Sequence, residues 1–522
     1  MADKKISQLD EAGALTGSEP IPVVQGGATK RTTPDALATR VSTALGLGTA
    51  ATADVMTSAA DRTAGRIVIV DHIDALITAP QNTIGTPGQP GFGVGIHPGP
   101  LPAGFSEMDG TTTPVAANYG NYLYSDGSIC CYIPKCYIRI GHASNPTYAT
   151  YGVNSIDVQP ASAFADEAAA NGAGYMLPRA FKDGGQTLKG FFVDKYMASP
   201  NAAGDAAISV PLGKPLSLTT DGNYTNSLTL GLSGQLHDAV TLARARGTGW
   251  HCSAIWQQWL LAILSLAHGQ AATTSTYCAW YDAAGTTNFP KGCNNNALGD
   301  VSDASILYIT AGDAGSASKP LTGSANQPAK VAHNGQLCGV MDLNGTLWEV
   351  QLGITSPGSS ATSTTQITDG DTYILKESVA LHDLLSGWTG GGSGDANNVW
   401  GDATHLATLY DAKTGFLPWG STQGSYYYFG NGSAQVFAAD TSGDAYLQTN
   451  SGIGQEAGMS GSGTNLFGND GSYRYNRHNL FPLSGGFWNG AAAAGVFTRS
   501  WGSGRTSSGS THGGFRAAAP AL

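Results

Sequence analysis

The spacing of apolar residues sets out the elements first. Ile21-Pro22-Val23-Val24, then Gln25-Gly26-Gly27, then Ala28-Thr29-Lys30-Arg31-Thr32 reads as a strand, a glycine turn and a second strand. Thr33-Pro34-Asp35 follows as a helix start, with a hydroxyl at the N-cap and proline at the first helical position. That helix carries Leu37, Val41 and Leu45 on one face and stops near Gly46. Further on, the apolar and aromatic run Ile129 to Ile140 predicts a buried strand pair, and Phe191 to Tyr196 another strand. Helical periodicity appears twice more. His237 to Arg246 ends at Gly247; Ser253 to His268 has Ser253 as N-cap, Gly269 as stop, and Ile255, Trp259, Ile263 and Leu266 on one stripe. Trp256 and Trp259 could form a ligand platform, but their helical spacing favours core packing. Beyond residue 270 the pattern is nearly free of helix, with Gly/Ser/Thr/Asn-rich stretches at 311–328, 355–370 and 389–398.

Composition sharpens this picture. Only 12% of residues are charged and Gly numbers 72, which suits β-structure with many tight turns, because glycine supplies the positive φ that turns require. The expected fold class is mainly β with a few α-helices. A net charge of −11 without any Lys/Arg cluster argues against nucleic acid as a partner. The opening Met1-Ala2-Asp3-Lys4-Lys5 leads into no apolar signal core, and the longest apolar run, Trp259 to Ala267, falls short of the ~20 residues a membrane helix needs. Folding in a cytoplasm, with no membrane insertion, is the expectation. The seven cysteines, Cys130, Cys131, Cys136, Cys252, Cys278, Cys293 and Cys338, are odd in number and scattered, and read as buried reduced thiols. Zinc at Cys130, Cys131 and Cys136 would need a second ligand pair that the neighbouring sequence does not offer.

Residues 1–60 cannot bury enough surface as one hairpin and one short helix, so they must pack on copies of themselves or on another protein. The stretch from Ile6-Ser7-Gln8-Leu9 through Glu19-Pro20-Ile21-Pro22-Val23-Val24-Gln25-Gly26-Gly27 and Thr29-Lys30-Arg31 resembles the N-terminal virion-attachment segment of phage tail fibres. Leu47-Gly48-Thr49-Ala50-Ala51-Thr52 is similar to the short repeat that often follows it. The resemblance implies a homotrimer docked on other phage tail proteins through this module. Residues 61–95 read as a connector, with Gly85-Thr86-Pro87-Gly88-Gln89-Pro90-Gly91 as a linker. Gly91, Gly93 and Gly95 mimic part of a dinucleotide fingerprint but open no helix, and so read as loop.

Residues 96–522 carry three landmarks in order. They are Gly249-Trp250 ahead of the Trp-bearing helix, then Gly339-Val340-Met341-Asp342-Leu343-Asn344-Gly345-Thr346-Leu347-Trp348-Glu349, and finally Leu483-Ser484-Gly485-Gly486-Phe487-Trp488 closed by Gly514-Phe515-Arg516. This set is similar to the formylglycine-generating-enzyme branch of the C-type-lectin-like fold, departing from it at Thr346, where Asn is usual. Locally, Asp342-Leu343-Asn344-Gly345 is a turn signature, Leu347 to Val350 starts a strand, and Arg516 is placed to pair with a carboxylate or cap a carbonyl. The oxidases of that branch need two cysteines near the final strand. Phe497 to Leu522 contains none, and hydroxyls do not replace thiolates as soft copper ligands. No G-x-S-x-G elbow, H-E-x-x-H or phosphate loop is present. The resemblance leaves a structural calcium ion open at Asp342 and Glu349; the local alternative is a turn Asp and a strand-end Glu bonded to their neighbours. No other cofactor is expected.

Between the closing landmarks runs Asn489 to Gly513. It resembles the variable region of lectin-fold proteins diversified by retroelements, whose changing positions derive from Asn codons mutated at adenine. Such codons never yield Lys, Glu, Gln, Met or Trp, and from Asn489 to Gly513 only Trp501 belongs to that set, at a framework position. The alternative is an ordinary Gly/Ser-rich loop. The resemblance places a variable binding region at about 486–516, with Asn489, Ala491, Ala493, Thr498, Ser500, Ser503, Gly504, Ser508, Ser510, Thr511 and His512 as receptor-binding positions. Tyr426-Tyr427-Tyr428-Phe429 and Tyr473 and Tyr475 are candidates to rim the site, with core packing the equal alternative for the first group because consecutive strand residues point to both faces. The expectation is a non-enzymatic tail-fibre adhesin for a bacterial surface protein or glycan, acting outside the host cell. A tail-associated polysaccharide-cleaving enzyme is the alternative.

Overall fold

A computed structural model describes residues 21–25, 28–32, 81–218, 235–283, 291–294, 297–311, 319–356, 369–384, 407–419, 423–490, 493–505 and 512–522. The chain divides into two compact units, Met1–Ala79 and Pro80–Leu522. In the first, β1 (Ile21–Gln25) pairs antiparallel with β2 (Ala28–Thr32) from Ile21↔Thr32 to Gln25↔Ala28. This is the hairpin that the β-branched runs on either side of the glycines predict. The Leu37, Val41 and Leu45 helix lies outside the described residues.

The second unit is mainly β. Its elements begin with β3 (Phe105–Glu107), β4 (Asn121–Tyr124), β5 (Ile129–Pro134), β6 (Cys136–Ile140), β7 (Ile156–Pro160) and β8 (Gly190–Asp194). Helix α1 (Gln235–Arg244), β9 (His251–Cys252) and α2 (Ile255–Ala271) follow. The later strands are β10 (Trp348–Val350), β11 (Gln423–Phe429), β12 (Met459–Ser460), β13 (Gly471–Tyr475), β14 (Leu480–Ser484), β15 (Arg499–Gly504), β16 (Gly513–Gly514) and β17 (Ala517–Ala521). One sheet has the order β9-β17-β8-β5-β4-β3, and the other β12-β11-β13-β15-β14-β10-β16.

The run Ile129 to Ile140 does form two strands, but they do not pair with each other. Strand β5 pairs with β8 and β4, while β6 pairs with β7. Pro134 ends the first strand and the chain turns into a separate two-stranded sheet. The last strand, β17, lies inside its sheet, with Phe192↔Ala519 on one side and His251↔Ala518 on the other. Pro520 falls beyond the end of β9, where only β8 flanks the strand, and a residue without N–H is tolerated at such a margin.

Helix α2 starts one residue later than an N-cap at Ser253 predicts. Ala254 occupies the N-cap, and its N–H donates to Gln257 Oε1 at 2.9 Å. It also runs through Gly269 to Ala271. Burial explains the overrun: Trp256, Trp259, Leu260, Ile263, Leu264 and Leu266 are all sequestered, so packing on almost every side outweighs a glycine penalty of about 1 kcal/mol. Trp256 and Trp259 are core residues, and no described helix is long and apolar enough to cross a membrane.

The expected connector is a connector only in part. Ile84, Phe92 and Val94 are fully buried in the second unit, Gly91 N–H donates to Gln336 Oε1 at 2.8 Å, and Gly88 N–H donates to His268 Nδ1 at 3.0 Å. The proline and glycine turns there let residues 81–95 lie against the core instead of linking two bodies. Gly91, Gly93 and Gly95 are loop.

Candidate functional site

The middle and closing landmarks, separated in sequence, meet in one sheet. Strand β10 pairs antiparallel with β14 (Glu349↔Ser484) and parallel with β16 (Glu349↔Gly514). Gly345 N–H donates to Gly485 O at 3.1 Å, and Gly345 has φ 67°, a conformation that favours glycine at this crossing. Arg516 closes the arrangement from below the sheet. Its Nε donates to Glu349 Oε1 at 2.9 Å, its Nη1 to Lys195 O at 3.0 Å, and its Nη2 to Met341 O. Pairing with a carboxylate and capping carbonyls are therefore both realised.

That use of Glu349 does not suit calcium. A Ca²⁺ ion takes six to eight oxygens, whereas Glu349 is committed to a buried guanidinium and Asp342 Oδ2 accepts from Gly323 N–H. Burial raises both carboxyl groups, with Arg516 pulling each back. Glu349 is thus bonded to a residue distant in the chain, and Asp342 to the backbone of Gly323. All seven cysteines are buried free thiols.

Strand β15 runs through the expected variable region. Its residues alternate, as strand residues must. Arg499 and Trp501 point to the buried side, where Trp501 Nε1 donates to Ser472 Oγ at 2.9 Å and Arg499 Nη1 donates to Thr498 O at 2.9 Å. Burial lowers the Arg499 guanidinium to about 10, against the pull of Asp470 and Glu349. Ser500 and Gly502 turn to the opposite side, beside β13. The register is Ser472↔Arg499 and Tyr473↔Ser500, and β13 in turn pairs with β11 through Tyr426↔Tyr473 and Tyr427↔Ser472.

This register gathers four half-buried tyrosines on one face of the sheet. Tyr426 and Tyr473 have ring centroids 5.1 Å apart, Tyr426 and Tyr428 6.3 Å, and Tyr473 and Tyr475 6.1 Å with planes only 7° apart. Gly502 lies against them: a methyl there would stand 3.3 Å from Tyr473 Cε1 and 3.5 Å from Tyr475 Cβ. Burial, then Tyr428 and Tyr473, push the Tyr426 phenol up to about 12, so it is a neutral hydrogen-bonding group at any ordinary pH. On the other side Tyr427 and Trp419 sandwich the Arg474 guanidinium at 3.7 and 4.8 Å, and Phe429 joins Phe437 and Phe497 in the core. Tyr427 and Phe429 thus pack on the side of Arg474 and the core, while Tyr426 and Tyr428 lie half-buried on the opposite face.

The expected receptor-binding positions separate into distinct environments. Asn489 is exposed, and Ala493 and Ser503 are half-buried. Thr498, Ser500 and Gly504 are buried, and Thr498 Oγ1 donates to Ala493 O at 2.9 Å. Ala491, Ser508, Ser510 and Thr511 lie outside the described residues. His512 stacks on Trp488 at 4.6 Å and meets Phe487 edge-on at 4.5 Å, while Lys319 Nζ sits 4.1 Å from the Trp488 ring centre. Burial, then Lys319, lower its pKa.

Sequence patterning named the tyrosines but missed their grouping, because β11 to β13 is a long-range pairing and β13 to β15 a parallel one. No protein-family profile matches the chain, and none of the curated proteins does.

Proposed function

We infer that the protein is the receptor-binding adhesin of a phage tail fibre. Its larger unit is read as a C-type-lectin-like domain, and its N-terminal module as the part that trimerises and docks on the tail. One observation supports the reading most: the segment between the closing landmarks runs as β15 beside β13, whose half-exposed tyrosines adjoin those of β11 on its other side. A recognition surface needs side chains free to meet a partner on a scaffold that does not move. Here Trp501, Arg499 and Phe429 anchor the strands from beneath while Tyr426, Tyr428, Tyr473 and Tyr475 face outward. Tyrosine is suited to that work because it offers large, rigid, amphipathic area at low entropy cost. Three copies on one fibre would raise weak single-site affinity by about 10²–10⁴ in favourable geometry.

The test is adsorption of the full chain to a panel of intact bacterial cells, measured by co-sedimentation beside analytical ultracentrifugation of the free protein. Saturable adsorption to particular strains by a trimer is expected. Specific release of oligosaccharide from their envelopes would replace this reading with that of a polysaccharide-cleaving enzyme. A monomer in solution would remove the trimeric attachment module from it.

A further inference from the structure

We propose that the tyrosine face of β11 and β13 binds an uncharged pyranose glycan; this rests on the adhesin reading and names its ligand class. The chemistry of the face decides between ligands. Tyr426, Tyr428, Tyr473 and Tyr475 give four neighbouring rings, each with a phenolic hydroxyl. A pyranose presents the complementary pair of surfaces, a C–H face for stacking on a ring and hydroxyls for the phenols.

A protein partner fits less well. Protein interfaces centre on apolar anchors that are fully desolvated. Among the described residues the exposed large aliphatics are Val115, Leu123, Leu212, Leu307, Ile309, Leu337 and Leu522, and none belongs to β11, β13 or β15. A charged glycan fits less well too. Those three strands, QGSYYYF, GSYRY and RSWGSG, contain no Asp or Glu, and their two arginines, Arg474 and Arg499, are buried on the opposite side. The three strands themselves therefore offer no counter-charge to an acidic or a basic sugar; the neighbouring cation, half-buried Arg477, donates from Nη1 to Gly502 O at 2.9 Å, and the net charge of −11 opposes the approach of a polyanion.

The rings are also held in place before any ligand arrives. Tyr427, Arg474, Trp419, Trp501 and Ser472 fix the two strands from behind, and Gly502 lets β15 pass close against Tyr473 and Tyr475. Preorganisation of this kind removes part of the ordering cost of binding.

The experiment uses the full chain and envelopes from the bacterial panel, each untreated, oxidised with periodate to cleave vicinal diols, or digested with proteinase K. Binding should fall by about tenfold or more after periodate and persist after proteinase. Tyr475→Ala should reproduce that loss at unchanged melting temperature. Gly502→Ala, which crowds the face without removing a ring, should weaken binding in the same direction and keeps the test open should Tyr475→Ala fold poorly. Binding that survives periodate and is lost to proteinase overturns the glycan assignment and leaves the adhesin reading standing. Competition by hyaluronate but not by dextran or mannan overturns the uncharged assignment. Binding to no envelope overturns both readings.

Discussion

Arg516 Nε lies 2.9 Å from Glu349 Oε1, and each side chain is only 1% exposed. The pair joins the middle landmark of the sequence to the last one, and the other guanidinium nitrogens hold the backbone of Lys195 and Met341. Removing one partner leaves a buried charge without its counter-ion. Arg516→Ala should lower stability by about 3–5 kcal/mol in denaturant titration. Arg516→Lys should not rescue it, because an ammonium cannot reproduce a planar fork serving three acceptors. A loss below about 1 kcal/mol would show that the pair is not held as described.

Trp501 and Asn489 lie in the same expected variable region and should behave oppositely. Trp501 is fully buried and bonded to Ser472, whereas Asn489 is exposed. Trp501→Ala should cost about 3–5 kcal/mol, and Asn489→Ala should stay within about 0.5 kcal/mol. Thermal unfolding of the two variants checks the assignment of inner and outer positions.

A chain that begins at residue 96 should be markedly less stable than one that begins at Pro80. It would lack Ile84, Phe92 and Val94, each fully buried, at about 1.5–3 kcal/mol per side chain. Equal melting temperatures for the two truncations would mean that residues 81–95 do not pack on the second unit.

His268 and His333 should make stability depend on pH. Burial lowers them to about 4 and about 3 from a free value of 6.5. The geometry agrees, since His268 Nδ1 accepts from Gly88 N–H and His333 Nδ1 from Val340 N–H, so both nitrogens must stay unprotonated. Below pH 6.5 the unfolded chain takes up protons that the folded one refuses. The stabilising effect of each neutral ring is therefore complete above that pH and is lost as the pH falls toward the folded value. The stability difference between the wild type and His333→Gln should be largest at pH 7 and narrower by about 2 kcal/mol at pH 5. A difference that does not change with pH would contradict the buried neutral ring.

Local chemistry was legible where it decides the outcome alone. The hairpin at Ile21 to Thr32, both long helices and the strand at Phe191 follow from β-branching, periodicity and breakers. Gly269 misled because a breaker is judged by propensity, and α2 is held by packing. The linker reading of residues 85–91 failed for a related reason: turn residues show that the chain bends, not whether it bends against a core. At the candidate site, the inward position of Trp501 was legible through the resemblance, which set it apart from the changing positions. Those of Ser500, Thr498 and Gly504 were not, since small polar residues look alike in the sequence whether they face solvent or a neighbouring strand.

The position of β17 has a kinetic consequence. Ala517–Ala521 must insert between β8 and β9, whose partners were synthesised far earlier, as Gly190↔Ala521 and Cys252↔Ala517 show. Until those residues leave the ribosome, β8 presents an open edge where its neighbour belongs, and contacts of such long sequence separation form slowly. A nascent or prematurely terminated chain would thus expose an unpaired, apolar edge and be drawn into aggregation or degradation. Only chains translated through residue 521 could close the sheet, so the fold itself would select against chains that stop short of β17.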